Sequence, residues 1–160
     1  MRPKNIDFEA FSLENPKHQL AQKQLETWTG QPDGVLLLNE QTIDSHPYGI
    51  AAFHKHSGDT LGYIAITAIF LPEMVKLGGF VVNPEYVGQG IGKTLTRYML
   101  ASVHKRLPEV EIITAQVNRA SKRIFGQYGA IVASERSVYW YLTKTPPTDD
   151  DFSLSRHGKE

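Results

Sequence analysis

Cysteine is absent from this 160-residue chain, which removes disulfide staples and thiol nucleophiles and is neutral about compartment. Net charge is absent too, because 17 basic side chains face 17 acidic ones. No global field therefore favours a nucleic acid or an anionic membrane as a partner. No apolar stretch approaches the roughly 20 residues that span a bilayer. Met1 to Asp7 is polar, where a signal peptide would place a charged start and an apolar run. These gaps predict a cytoplasmic protein with no nucleic-acid and no membrane partner. Internal repeats are missing as well. The length suits one domain with a proper core, expected over 1–145. Residues 146–160 are proline-rich, acidic and then polar, and read as a flexible tail.

What is present alternates between helix and strand signals. Ile6, Phe8 and Ala10 predict a first strand. Pro16 suits the start of a helix running through Leu20, Leu25 and Trp28, with Gly30 and Pro32 to stop it. Val35 to Leu38 is apolar and compatible with either state. Gly49 to Lys55 and Leu61 to Phe70 form a predicted hairpin around Ser57-Gly58-Asp59. Pro72 breaks its second arm, and Val75 to Asn83 reads as the next strand. Ile91, Leu95, Tyr98, Met99, Ser102 and Val103 share one helical face. His104, Lys105 and Arg106 suit that helix's C-terminus, and Pro108 closes it. Val110 to Val117 predicts an interior strand, and Asn118 an N-cap for a helix with Ile124, Phe125 and Tyr128, ended by Gly129. Ala130 to Ser134 and Val138 to Leu142 read as a final hairpin. The class is α+β, with a parallel strand–helix–strand at its centre. Val138 to Leu142, apolar on both faces, is the candidate cover of a homodimer.

The densest signal is Val81-Val82-Asn83-Pro84-Glu85-Tyr86-Val87-Gly88-Gln89-Gly90-Ile91-Gly92-Lys93-Thr94. A β-branched strand meets a turn, then glycine at every second position, then a helix. Glycine lets a ligand approach the main chain, and the helix start offers unpaired N–H groups with a positive dipole end. The combination suits a phosphate or pyrophosphate, or else a tight turn that binds nothing. A P-loop would need glycine at Val87, and the dinucleotide fingerprint would need glycine at Lys93.

Gly90 and Gly92, with the Asn-Pro-Glu-Tyr lead-in, resemble the acyl-CoA loop Gln/Arg-x-x-Gly-x-Gly/Ala of the GNAT superfamily of N-acyltransferases; Val87 departs from it. Asn118, Ser121, Phe125, Gly129 and Ala130 are similar to that family's second motif, Asn-x-x-Ala-x-x-x-Tyr-x-x-x-Gly-Phe. The resemblance is strongest over Leu61 to Leu142. It implies a twisted mixed sheet of about six to seven strands with about four helices, whose splayed parallel strands form a CoA cleft. It implies acetyl-CoA as co-substrate with no metal, and an amine of a small molecule or protein as acceptor. Main-chain groups of Phe80, Val81 and Val82 would pair with the pantetheine arm. Gly88, Gln89, Gly90, Ile91, Gly92 and Lys93 would hold the pyrophosphate, while Asn118, Ser121 and Phe125 would face the cofactor and Arg123 could meet a phosphate.

The family chemistry is direct attack of an amine on the thioester, with a main-chain N–H near Val82 as oxyanion donor. The tyrosine that often meets the leaving thiolate is replaced by Phe125, which leaves Tyr128, three residues on, as a substitute acid; Tyr139 and Tyr141 are further options. Gly78 and Gly79 stand where a carboxylate base is expected. They suit a bulge or a bulky acceptor, and Glu73 is the nearest carboxylate. His54 and His56 alternate and could share a face. The competing expectations are a CoA-binding module without catalysis and an unrelated phosphate-ligand protein.

Overall fold

The computed structural model describes residues 5–12, 14–29, 42–43, 46–47, 49–70, 73–107 and 109–141. Gly30, Pro32, Val35 to Leu38, Pro72, Pro108, Leu142 and the predicted tail lie outside them, as does the expected domain boundary.

Strand β1 (Ile6–Ala10) follows its alternation, burying Ile6 and Phe8. Helix α1 (Pro16–Thr29) starts at proline, whose missing N–H is harmless in a first turn. Its inner face carries Ala21 and Leu25, one turn apart, whereas Leu20 is 73% exposed. Five residues separate Leu20 from Leu25, so the two lie well apart around the helix and only one can face the sheet. Two short strands, β2 (Thr42–Ile43) and β3 (His46–Pro47), pair with each other. Strand β4 (Gly49–His54) and the long β5 (Thr60–Phe70) form the expected hairpin. The chain continues through β6 (Met74–Val82), a 3-10 turn at Pro84–Tyr86, and helix α2 (Ile91–Arg106). Strand β7 (Ile112–Gln116), helix α3 (Arg119–Gln127), β8 (Ile131–Ser134) and β9 (Ser137–Tyr141) complete it.

Seven strands form one sheet in the order β1-β4-β5-β6-β7-β9-β8. Only β6 and β7 are parallel neighbours; the other pairs are antiparallel. The mixed GNAT-like sheet is therefore present, with three α-helices among the described residues. The sheet divides the interior into two clusters. Helices α2 and α3 cover the larger one, which includes Val75, Leu77, Leu95, Tyr98, Phe125 and Trp140. Helix α1 covers the smaller one on the opposite face, with Leu25, Ala51, Phe53, Tyr63 and Ala65.

Strand β9 sits inside the sheet, between β7 and β8. Its Val138 and Trp140 are consumed by this protomer's own core, and Trp140 also donates its indole N–H to the Tyr128 carbonyl. The exposed apolar edge is β8, where Ile131 and Val132 are open to solvent. At the other edge His18 is buried between the rings of Phe11 and Phe53. Its Nδ1 accepts the Ser12 N–H, so Nε2 carries the proton given to Glu9, 2.8 Å away. Lys17 donates to the other Glu9 oxygen at 3.0 Å.

Candidate active site

The site begins with two surplus residues. Opposite Ile66–Leu77 and Ala68–Lys76 pairing, Thr67 is extra in β5; between Ala65–Gly78 and Tyr63–Val81, β6 carries one residue too many. Gly79 takes φ +63°, which absorbs that second bulge. An extra residue reverses the side-chain alternation. Val75 and Leu77 face the main core before it, and Phe80 and Val82 face it afterwards, while Val81 turns to the α1 side beside Tyr63.

The same region is where the parallel strands separate. Pairing of β6 with β7 runs from Met74–Ile112 to Leu77–Ala115 and stops. Strand β6 continues to Val82 on β5, while β7 stays with β9 through Gln116–Ser137. Gly78 to Val82 therefore present an edge with no strand partner towards β7. A cavity of about 440 Å³ opens in this gap. Phe80, Val81, Asn118, Ser121 and Phe125 line it, together with Trp28, Thr67, Lys76, Leu77, Gly78, Gly79, Ala115 and Gln116.

Beyond β6, Asn83 organises the turn. Its Oδ1 accepts the Glu85 N–H at 2.9 Å, and its Nδ2 donates to the Thr60 carbonyl at 3.0 Å. Gly88 and Gly90 then take φ of +86° and +82°, conformations that favour glycine. Gly90 is the N-cap of α2 and supplies no side-chain cap, so the N–H groups of Ile91, Gly92 and Lys93 lack acceptors within the helix. No acidic residue occupies that first turn. Ile91 buries its side chain in the core and leaves only its main chain for a ligand, whereas Gln89 and Lys93 are exposed. Gly92 serves packing: a Cβ there would stand 3.0 Å from Ile124 Cδ1, 3.1 Å from Phe80 Cζ and 3.4 Å from Val82 Cγ2. That close approach joins the helix start to the cavity wall.

The N-terminus of α3 is built in the opposite way. Asn118 Oδ1 accepts the Ser121 N–H at 2.9 Å, and Ser121 Oγ accepts the Asn118 N–H at 3.0 Å, a reciprocal capping box. Asn118 is thus an N-cap that also lines the cavity. Phe125 is buried, its ring 5.0 Å from those of both Phe80 and Trp140. Tyr128 is the C-cap of α3 and packs on the core without lining the cavity. Glu73 is exposed, and its carbonyl accepts the N–H groups of Glu111 and Ile112; it too stays outside the cavity wall. Arg123 is exposed. His54 ends β4 but His56 lies in the turn, so they do not share a strand face; His54 Nδ1 accepts the N–H groups of His56 and Ser57. Among the described residues no group of three or more His, Asp or Glu could hold a metal.

Six lining residues escape motif reasoning: Trp28, Thr67, Lys76, Leu77, Ala115 and Gln116. Lys76 alone carried a signal, as a charge between Val75 and Leu77 in an otherwise apolar strand.

The profile of the Acetyltransferase (GNAT) family matches residues 9–130. The chain belongs to this GNAT family. Its reaction class is acyl-CoA-dependent N-acyl transfer. Solved GNAT structures share the fold at low sequence identity. The GNAT family N-acetyltransferase YhbS from Escherichia coli, in complex with CoA, is 15% identical with a TM-score of 0.66, covering 94% of this chain and 87% of that one. An acetyltransferase from Streptococcus agalactiae is 14% identical with a TM-score of 0.67, covering 87% and 99%. N-acetyltransferase PseH of Campylobacter jejuni is 15% identical with a TM-score of 0.60, covering 86% and 98%. No curated protein matches the chain significantly in sequence. No helix among the described residues is long and apolar enough to cross a membrane.

Proposed function

We propose that this GNAT protein transfers the acetyl group of acetyl-CoA to a primary amine of a small molecule or protein. The observation that carries this reading is the parting of β6 and β7 after Leu77 and Ala115, with a cavity of about 440 Å³ in the gap. An uncapped helix N-terminus stands at the end of the same strand. The Escherichia coli neighbour's bound CoA supports the choice of co-substrate.

Acetyl-CoA brings an activated thioester, and the chain supplies binding and orientation. The main chain of Gly88 to Lys93 receives the pyrophosphate. The open edge of Phe80, Val81 and Val82 takes the pantetheine arm as an added strand. Asn118, Ser121 and Phe125 form the facing wall. In the reaction the acceptor nitrogen bonds to the acetyl carbon, the carbon–sulfur bond breaks, and the amine proton is released. A main-chain N–H near Val82 stabilises the carbonyl oxygen. On this reading water carries the proton from the amine to the departing CoA thiolate.

Phe125 in place of the family tyrosine favours one second reading, a CoA-binding module without catalysis. Calorimetric titration with acetyl-CoA, using ATP and NAD as controls, separates these readings. Selective binding followed by amine-dependent thiol release supports the transferase; binding without turnover of any amine supports the module. No binding by folded protein ends both. Gly90→Trp places an indole in the loop and abolishes binding. Association of two copies would use the exposed β8 edge, and a monomeric mass by light scattering ends that proposal.

A further inference from the structure

Among the described residues, the cavity wall carries one ionisable side chain, and it belongs to a cationic residue type. Val75 and Leu77 point into the main core, so strand alternation sends Lys76 to the α1 face of the sheet. Trp28 of α1 lines the cavity from that face, and Thr67 and Gln116 add neutral polar groups. No carboxylate among the described residues lies within ion-pair distance of Lys76; the carboxylates of Glu9 and Asp7 are engaged by Lys17 and Lys55. Six residues of extended chain separate Lys76 from Val82, about 20 Å at ~3.3 Å per residue. Lys76 is therefore remote from the glycine loop and its pyrophosphate.

We infer that Lys76 anchors an anionic group on the acceptor, so that the substrate is an amine bearing a carboxylate or a phosphate. This rests on the acetyltransferase reading and narrows its substrate class. A half-buried ammonium in a cleft attracts an anion more strongly than it would in bulk water. It also repels acceptors that are purely cationic, which sets polyamines and aminoglycosides aside.

The test uses matched acceptors that differ in one group: phenylalanine and phenethylamine, lysine and cadaverine, and phosphoethanolamine and ethanolamine. Thiol release gives kcat/KM for each with the natural protein, Lys76→Arg and Lys76→Met. The anionic member of a pair is favoured by about tenfold or more, as expected for one charge-assisted hydrogen bond. Lys76→Met brings that ratio close to one, and Lys76→Arg keeps most of it. Acetyl-CoA affinity, read by calorimetry, is the same in all three proteins. The first two pairs report a carboxylate and the third a phosphate. Equal or better turnover of the non-anionic members, or a preference surviving in Lys76→Met, overturns the inference. If thiol release is silent, the same probes are titrated into CoA-loaded protein. Tenfold weaker binding of the anionic probes to Lys76→Met then keeps the anion site and sinks only the transferase reading. Equal binding to both proteins overturns the site.

Discussion

Gly78→Ala probes the strand geometry that opens the cavity. Gly78 does not have positive φ, so alanine meets no left-handed backbone penalty there. Alanine would even restrict the unfolded chain, a gain of about 0.4–1 kcal/mol. The obstacle is steric. A Cβ on Gly78 falls 2.7 Å from Thr67 Cγ2 and 3.2 Å from Thr67 Oγ1, against an optimum near ~3.5–4.0 Å for two carbons. Thr67 is β-branched and stiff about χ1, and it sits on a bulge of β5, so it has little room to turn aside. Overpacking of this kind costs about 1–3 kcal/mol. After the chain-entropy gain, a loss of about 1–2 kcal/mol is expected, or a fall in Tm of roughly 2–8 °C at this length.

Thr67→Ala removes both crowding atoms and leaves the Thr67 Cβ at 3.5 Å, an ordinary contact. It gives up only the long 3.4 Å hydrogen bond to the Lys76 carbonyl. In that background Gly78→Ala becomes neutral or stabilising. Urea unfolding of the two single variants and the double variant closes the cycle, with an expected coupling of about 1–3 kcal/mol. Additivity within about 0.5 kcal/mol would show that Thr67 does not crowd Gly78 and would refute the bulged register of β5 on β6.

Three further outcomes follow from individual side chains. The Tyr63 hydroxyl is buried with no hydrogen-bond partner among the described residues, and burial pushes its ionisation well above the usual tyrosine range. Tyr63→Phe therefore stabilises the protein by about 1 kcal/mol in urea unfolding, and a loss of that size would mean the hydroxyl is satisfied. Glu9 is held below the usual carboxylate range by its hydrogen bond from His18, opposed by burial and reinforced by Lys17. Its contribution is complete above the unfolded-state value of about 4.3 and disappears as pH falls through the lower folded value. The stability difference between natural protein and Glu9→Gln thus shrinks steadily in unfolding curves below about pH 4; a difference independent of pH refutes this. Tyr128→Phe and Glu73→Gln change two groups outside the cavity wall, and kcat stays within about twofold. A hundredfold loss in either would restore that residue as the acid or base.

Legibility in the sequence tracked how locally each feature is determined. The Asn118 cap was readable because its partner Ser121 is three residues away, and Gly88 and Gly90 were readable because positive φ is a demand of their own backbone. Gly92 belongs to the same motif, yet its Cβ position is crowded by Phe80, Val82 and Ile124 from β6 and α3, contacts that no loop pattern contains. Apolarity on both faces of β9 was visible; its insertion between β7 and β8 depends on strand order, which is set by the whole sheet. Gly78 and Gly79 suggested a bulge, and the structure separates their reasons: positive φ at Gly79, and the Thr67 side chain at Gly78.

The cavity shows why its α1-facing side was the hardest part to read. The proposed co-substrate contacts fall in two continuous segments, Phe80 to Lys93 and Asn118 to Phe125, as a long extended cofactor gripped by successive main-chain groups would require; of these Phe80, Val81, Asn118, Ser121 and Phe125 line the cavity. Trp28, Thr67, Lys76 and Gln116 come instead from α1, β5, β6 and β7. Only the sheet brings them together, and only on the α1 face. Lys76 reaches that face because it lies before the Gly79 bulge, whereas an even-numbered residue after it, such as Phe80, faces the main core. Removing the bulge residue would reverse one half of the strand relative to the other. Either Lys76 would turn into an apolar core, at the high cost of an unpaired buried charge, or Phe80 and Val82 would leave the wall that Gly92 packs against. In the proposed acetyltransferase, one surplus glycine thus lets a single strand serve the co-substrate with its end and the acceptor with its middle.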